Sequence, residues 1–388
     1  MKKFELYIPT RIIFGNKRIG EIGHYAKKYG KKLMMVYGQG SIKKNGVYNT
    51  VIKSLEDADI EIVEFSGVRP NPVISHTRNG VSIAKKEKID FVLGVGGGSV
   101  SDEAKAIAAG ALYDGDVWDF YKDTEKIKKA LDVLIILTLP ATGSEMNGGT
   151  VITNEETTQK FGFIDEHLYP KVSILDPSVT LEIPLDYTAY SAVDITLHLL
   201  ESYFTHEDTW NPIQDRYVEG IVKTVIECMD ILLKEPRHYQ ARATLMWASS
   251  LAWNGLGTAG VGEFSVPNHM FGHVISAYYD LAHGATLSII TPALMKYKYK
   301  DNIRQFVSFA ENIFGIKGSN KEEVALAGIE AFKNWFIKIG SPVSFKDAKL
   351  PTDQLNDLVE SVIELSKLWN IKGYSKKAIF DILNSCLD

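Results

Sequence analysis

IDFVLGVGGGSVSDEAKAIAAG, Ile89 to Gly110, decides how this chain folds. Its first residues are a continuous apolar run, the pattern of a strand buried on both faces. Three consecutive glycines and a serine follow, and from Val100 the small and apolar residues recur at helical spacing. Strand, glycine turn and helix in that order make half of a parallel βαβ unit. Without Cβ atoms, the amides of Gly96, Gly97 and Gly98 can come close to a phosphate. The N-terminus of the following helix adds partial positive charge, and Ser99 offers a hydroxyl. The plainer reading of an isolated GGG is a tight turn; the Asp102/Lys105 pair just beyond it favours the phosphate reading. Gly96, Gly97, Gly98, Ser99 and Asp102 are therefore candidate cofactor residues. The spacing is not the GxGxxG of the usual dinucleotide fingerprint, so a variant of that fold is expected.

Outward from this stretch, KKLMMVYG, IEIVEF, VLIILTLPATG and KVSILDP read as further buried strands, each ended by a glycine, proline or polar residue. NGVYNTVIKSLEDA and HTRNGVSIAKKEK read as helices between them, which predicts a mostly parallel sheet covered by helices. After Pro184 the pattern changes to long helical periods, among them YTAYSAVDITLHLLESYF and EEVALAGIEAFKNWFIKIG. An α/β, Rossmann-like domain over residues 1–183 followed by an all-helical domain over 184–388 is expected, as the length of 388 residues already favours two domains. Apolar residues at 45% and charged residues at 23% describe a globular chain. No apolar run approaches the roughly 20 residues that cross a bilayer. MKKFELYIPTRIIFG alternates like a strand and has no signal-peptide h-region. Two distant cysteines and dispersed lysines at net charge −5 point to a reducing cytoplasm and away from nucleic acid.

A second loop, MMVYGQGSIKKNG, closes the first strong strand at Gly38. Dinucleotide folds often place an acidic residue there for the ribose 2′-hydroxyl. Gly38 instead leaves room, and Ser41, Lys43 and Lys44 offer groups that complement a 2′-phosphate; the plainer reading is a polar turn with solvated lysines. LTLPATGSEMNGG puts Thr138, Thr142, Ser144 and Asn147 at another strand's carboxyl end, where hydroxyls suit a ligand. Ser144 is not in a GxSxG elbow, so a serine hydrolase is not indicated. Thr138, Thr142, Asn147 and Lys160 complete the expected cofactor-binding set.

Asp194 and His198 stand four apart in SAVDITLHLLESY, on one face of a helix. His269 and His273 repeat that spacing in VPNHMFGHVISAYYDLAHG, and His283 follows, expected where that helix ends. A lone histidine on an amphipathic helix is ordinarily just a hydrogen-bonded side chain; two pairs and a fifth group favour a metal. One carboxylate with two or three imidazoles suits iron(II) or zinc better than calcium or magnesium. Spacing alone leaves open whether His269 or His273 is the ligand.

GGGSVSDEAK, LTLPATGSE, VDITLHLLE and NHMFGHVISAYYDLAHG together resemble the iron-containing (group III) alcohol dehydrogenases, nearest the butanol dehydrogenase and broad aldehyde reductase branch. The resemblance runs from PTRIIFG onward and implies a dehydroquinate synthase-like fold. It puts the metal ligands on Asp194, His198, His269 and His283, and His273 near the nicotinamide and substrate as a catalytic group and not a ligand. It implies NAD(P)-dependent interconversion of short to medium primary alcohols and aldehydes in a homodimer. Relatives that prefer NAD carry an aspartate where this chain has Gly38, which favours NADP(H), with NAD(H) still usable. Trp253, Leu256 and Phe264 are candidates for an apolar substrate pocket, Trp253 being better read as core. Glycerol-1-phosphate dehydrogenase or dehydroquinate synthase-like chemistry would want basic residues near the metal motifs, and none cluster there. A non-catalytic nucleotide-binding filament scaffold would leave a complete ligand set unused. The alternating Phe4–Phe14 segment is expected to form a strand that pairs across the dimer.

Overall fold

The computed structural model describes residues 1–207 and 210–388. The chain divides into two compact units, one of residues 7–183 and 237–254, the other of residues 1–6, 184–236 and 255–388. A single cut at 184 therefore misses two exchanges. The helix Tyr239–Ala252 joins the sheet-containing unit, where Ser250 Oγ donates to the buried Glu145 carboxylate at 2.5 Å and Arg242 donates to the Ile183 carbonyl at 3.0 Å. Residues 1–6 join the helical unit, with the Lys2 amide bonded to the Gly260 carbonyl at 2.9 Å.

The sheet-containing unit is built on strands β1 (Arg11–Phe14), β2 (Lys32–Gly38), β3 (Glu61–Val68), β4 (Phe91–Gly97) and β5 (Asp132–Leu139), with a hairpin β6 (Gly149–Asn154) and β7 (Gln159–Ile164), and β8 (Val172–Leu175). Six of these form one sheet in the order β1-β8-β5-β4-β2-β3, and every neighbouring pair is parallel. Parallel pairing needs crossovers, and the helices Val47–Glu56, Ile74–Glu87 and Gly98–Ala111 supply them. Leu33, Met35, Phe91, Leu93, Leu134 and Ile136 are fully buried in one cluster, each removed from water at a gain of about 1.5–3 kcal/mol. The chain runs from β2 outward to β3 and then returns to place β4 on the other side of β2. That reversal is a topological switch point, where ligands of open α/β sheets bind beyond the strands' carboxyl ends. Gly38 ends β2 and Gly97 ends β4, one on each side of it.

The N-terminal strand is shorter than the alternation of Phe4–Phe14 suggests. Only Arg11–Phe14 is strand, and it pairs with β8 of its own chain. Pro9 has no amide to give a ladder, and Phe4 and Tyr7 stay exposed at 53% and 55%.

The other unit is helical. Leu185–Thr205, Pro212–Leu232, Pro267–Tyr279 and His283–Lys298 lead into Ile303–Phe314, Lys321–Lys338, Leu355–Leu368 and Lys376–Asn384. Phe204 and Phe306 stack with ring centroids 4.2 Å apart, and Phe309 meets Phe204 and Phe332 edge-on. His283 does not end the helix of His269 and His273. Asp280 takes a left-handed φ of 50° and stops that helix, and His283 opens the next one. Gly284 makes the close approach possible: a Cβ there would lie 2.0 Å from the Tyr190 carbonyl oxygen. Among the described residues, no helix is long and apolar enough to cross a membrane.

Candidate metal centre and nucleotide loops

Three helices of the helical unit bring one carboxylate and three imidazoles together. Asp194 and His198 come from Leu185–Thr205, His269 from Pro267–Tyr279 and His283 from the first turn of His283–Lys298. Asp194 Oδ1 lies 3.5 Å from His198 Nδ1, 3.6 Å from His269 Nε2 and 3.8 Å from His283 Nε2. Donor atoms of Asp194, His198 and His269 all lie within 4.8 Å of one another, and all three residues are buried. These separations are long for hydrogen bonds. They suit four donors around one ion at about 2.1 Å each, whose tetrahedral edges measure roughly 3.4 Å. The donor set therefore fits a four-coordinate transition metal.

The electrostatics of the imidazoles differ. Burial pushes the His198 imidazole down to about 4, against the pull of Asp194. Burial also acts to lower His269, but the neighbouring carboxylates of Asp194 and Glu201 outweigh it and hold that imidazole up at about 9. His273 is buried one turn beyond His269, its ring 5.1 Å from that of His283 and 5.1 Å from that of Trp369. Neither His273 nor His283 is among the three mutually close donor residues; His283 Nε2 lies 3.8 Å from Asp194 Oδ1.

Glu201 escaped the sequence reading. It follows Asp194 by seven residues and His198 by three, the spacing that keeps all three on one helix face, so the signal was present. Its Oε1 accepts the His269 amide at 2.8 Å and His269 Nδ1 at 3.0 Å.

In the sheet-containing unit, Gly98 opens the helix Gly98–Ala111 and no side chain caps that end. A Cβ on Gly96 would lie 2.4 Å from Val100 and one on Gly98 2.5 Å from Thr142, so the turn closes only with glycines. Ser99 is half-buried and its hydroxyl bonds the Pro70 carbonyl. Asp102 and Lys105 turn inward, away from any phosphate beyond the loop. Asp102 accepts from Ser144 Oγ at 2.7 Å and from the Val151 amide at 3.2 Å. Lys105 donates to oxygens of Ser144, Asn147 and Gly149. Asn147 Oδ1 accepts the Gly149 amide at 2.7 Å, and Thr142 Oγ1 accepts the Ser144 amide at 3.2 Å, so both shape the loop after β5. Thr138 is half-buried near the end of β5. Lys160 is buried on β7, where its Nζ donates to Asn71 at 2.8 Å.

At the end of β2, a Cβ on Gly38 would meet only the Val68 carbonyl, at 3.5 Å. Ser41, Lys43 and Lys44 lie exposed on the short helix that follows. Lys43 is already engaged: its Nζ sits 4.6 Å from the Tyr48 ring centroid and 3.9 Å from Glu64 Oε2. Glu64 in turn accepts from Tyr37 at 2.5 Å and Tyr48 at 2.7 Å. Of the apolar candidates, Trp253 is half-buried at the C-terminus of Tyr239–Ala252, Leu256 is half-buried, and Phe264 is exposed at 37%.

The chain is similar to known proteins along nearly its whole length. The family model for iron-containing alcohol dehydrogenases matches residues 9–177. The model for the C-terminal part of the Fe-containing alcohol dehydrogenase family matches residues 188–387. NADH-dependent butanol dehydrogenase A of Clostridium acetobutylicum is 41% identical over 368 residues, covering 94% of each chain. The NADPH-dependent aldehyde reductase YqhD of Escherichia coli is 37% identical over 367 residues, again 94% of each. The crystal structure of NADH-dependent butanol dehydrogenase A from Thermotoga maritima superposes with a TM-score of 0.96 at 45% identity, over 100% of this chain and 99% of that one.

Proposed function

The chain belongs to the iron-containing alcohol dehydrogenase family, and from that premise we propose that it interconverts short to medium primary alcohols, butanol among them, with their aldehydes, using one divalent metal and NADP(H) in preference to NAD(H). As a member it is an oxidoreductase, an NAD(P)-dependent alcohol dehydrogenase and aldehyde reductase. One observation carries the metal reading: three imidazole nitrogens within 3.8 Å of the same Asp194 oxygen. Iron(II) is the first choice and zinc(II) the second, since both accept one carboxylate and imidazoles. Such an ion supplies Lewis-acid polarisation of the aldehyde oxygen, and the nicotinamide supplies the hydride. Asp194 offsets part of the cation's charge, while His198, His269 and His283 bind as neutral imidazoles. This reading leaves His273 out of the ligand set, where it would pass a proton to the product alkoxide.

The nucleotide assignment rests on Gly38. No carboxylate stands at the end of β2 to repel a 2′-phosphate, and Ser41 and Lys44 lie exposed just beyond. Because Lys43 is held by Glu64, the charge offered to the phosphate comes first from Lys44, and NADH remains usable. Of the similar relatives, one at 41% identity is named for NADH and one at 37% for NADPH. A homodimer is part of the same reading, with the outer edge of β1 open to a second copy.

The direct test is turnover of butanal with NADPH and NADH in parallel, after reconstitution with iron(II) or zinc(II). Metal-dependent reduction, faster with NADPH, is the expected result. Inactivity toward a series of straight-chain aldehydes with both nucleotides would sink the reading. Light scattering should report twice the chain mass of 43.2 kDa.

A further inference from the structure

Glu201 is 1% exposed, and a buried carboxylate has to be matched by donors or its desolvation destabilises the fold. Its Oε1 finds two, both on His269: the backbone amide at 2.8 Å and Nδ1 at 3.0 Å. That amide is the third of the helix Pro267–Tyr279, among those with no partner inside the helix. Val266, at the N-cap position, contributes no side-chain bond, so a residue from another helix takes the capping role. The positive end of the helix dipole also favours the carboxylate there.

The second bond has a chemical consequence. With Nδ1 donating its hydrogen to Glu201, Nε2 is the nitrogen that faces Asp194, 3.6 Å from its Oδ1. The helix that carries Asp194 and His198 thus also clamps the ring of a third ligand contributed by another helix. We propose that Glu201 is a positioning residue of the metal centre, fixing the His269 imidazole with Nε2 presented before any ion arrives and so setting metal affinity. The inference rests on the metal reading above. Carboxylates that hold a ligating imidazole raise its basicity as well as orient it, and their loss costs 10–100-fold in affinity.

Glu201 also forms part of the wall of a cavity of about 400 Å³, together with Leu200, Phe204, Pro267, Asn268 and Tyr374. None of the four proposed ligands lines that cavity. Truncation to alanine therefore joins the back of His269 to a space that water fills, and water takes over the vacated donors. Glu201→Gln is the sharper variant, since it keeps the size and one acceptor oxygen but removes the charge.

The test uses the full-length protein stripped of metal, with cobalt(II) alone as the probe. Three quantities are read for wild type, E201Q and E201A: the metal-free thermal midpoint, the cobalt Kd by chelator competition, and the visible d–d spectrum. The expected result is a Kd weakened at least tenfold in E201Q and further in E201A, with a shifted spectrum and a metal-free midpoint of E201Q near that of wild type. A helix cap and nothing more would lower the metal-free midpoints while leaving the E201Q Kd within twofold of wild type and its spectrum unchanged, and that overturns the proposal. Should E201A fail to fold, the E201Q Kd and spectrum decide alone. Wild-type protein that binds no cobalt at all would overturn the metal reading itself, a different failure from tight binding in every variant.

Discussion

Lys105 Nζ lies 2.8 Å from Ser144 Oγ, which is itself 2.7 Å from Asp102 Oδ1, so one hydroxyl joins a buried ammonium to a buried carboxylate. Lys105 is fully buried, and its ammonium also contacts the carbonyl oxygens of Ser144, Asn147 and Gly149 at 2.7, 2.8 and 2.8 Å. Burial acts against both charges, raising Asp102 and lowering Lys105. What offsets it is this set of oxygens around an ion with three donors. The pair braces the loop between β5 and β6 against the helix Gly98–Ala111.

Lys105→Met should therefore be strongly destabilising. It removes one partner of a buried charged network and leaves three carbonyls without their donor, a class of change that costs about 3–5 kcal/mol. Equilibrium denaturation in urea measures it. A loss under about 1 kcal/mol would mean that water or a backbone shift replaces the ammonium.

The ligand assignment makes a contrast between neighbours on one helix. His269→Ala and His283→Ala should lose bound metal and activity together, whereas His273→Ala should keep most of the metal and turn over more slowly. Elemental analysis of each purified variant, beside its kcat, separates the two behaviours. Metal lost from His273→Ala but kept in His269→Ala would reverse the assignment.

How much of this was legible beforehand depends on what each residue was buried against. β2, β4 and β5 are covered on both faces, so LMMV, FVLGV and VLIIL announced themselves as apolar runs. The hairpin β6–β7 went unread because part of its inward face is polar: Thr150 is fully buried, but its hydroxyl donates to the Asp102 carbonyl at 2.8 Å. Asp102 and Lys105 were visible as a pair, while their direction was not, since a helix presents such residues inward or outward at the same spacing. Lys43 was legible as a cation near Gly38; that Glu64 holds it depends on β3 lying beside β2, a long-range pairing no local pattern encodes.

A pH effect on stability follows from His76 and Glu103. His76 Nδ1 lies 2.6 Å from Glu103 Oε1, and Nε2 is 3.1 Å from the Ser66 carbonyl. The bond to Glu103 raises the imidazole above 6.5, with burial opposing. A folded-state pKa above the unfolded one gives stability that is fully present below about pH 6.5 and is lost as pH rises through the folded value. The gap in stability between wild type and His76→Gln should therefore be widest in mild acid and shrink as the pH rises through the raised folded-state value. The side chain is 26% exposed, so the effect is partly screened. Urea titrations of both proteins across that range check it, and a gap that widens with pH would contradict the assigned partner.

Nucleotide choice gives the last prediction. Gly38 is not in the left-handed region, and a Cβ there makes only an ordinary contact with the Val68 carbonyl, so Gly38→Asp folds without strain. Its carboxylate would stand where a ribose 2′-hydroxyl is bonded and a 2′-phosphate repelled. Activity should move toward NADH with metal content unchanged. Glu64→Gln makes the opposite change, since it neutralises the carboxylate 3.9 Å from Lys43 Nζ and loosens the lysine's hold beside the Tyr37 and Tyr48 rings. A charge-assisted contact to phosphate contributes about 1.5–3 kcal/mol, and an exposed lysine sits at the lower end because salt screens it. Roughly a tenfold gain in NADPH affinity is then the ceiling, with NADH affinity unaltered because that nucleotide has no 2′-phosphate to meet the lysine. Fluorescence titration of both nucleotides against wild type and the two variants decides. Equal gains for NADPH and NADH in Glu64→Gln would show that the lysine reaches some other part of the nucleotide, and a wild-type preference for NADH would leave Lys43 and Lys44 as solvated turn residues.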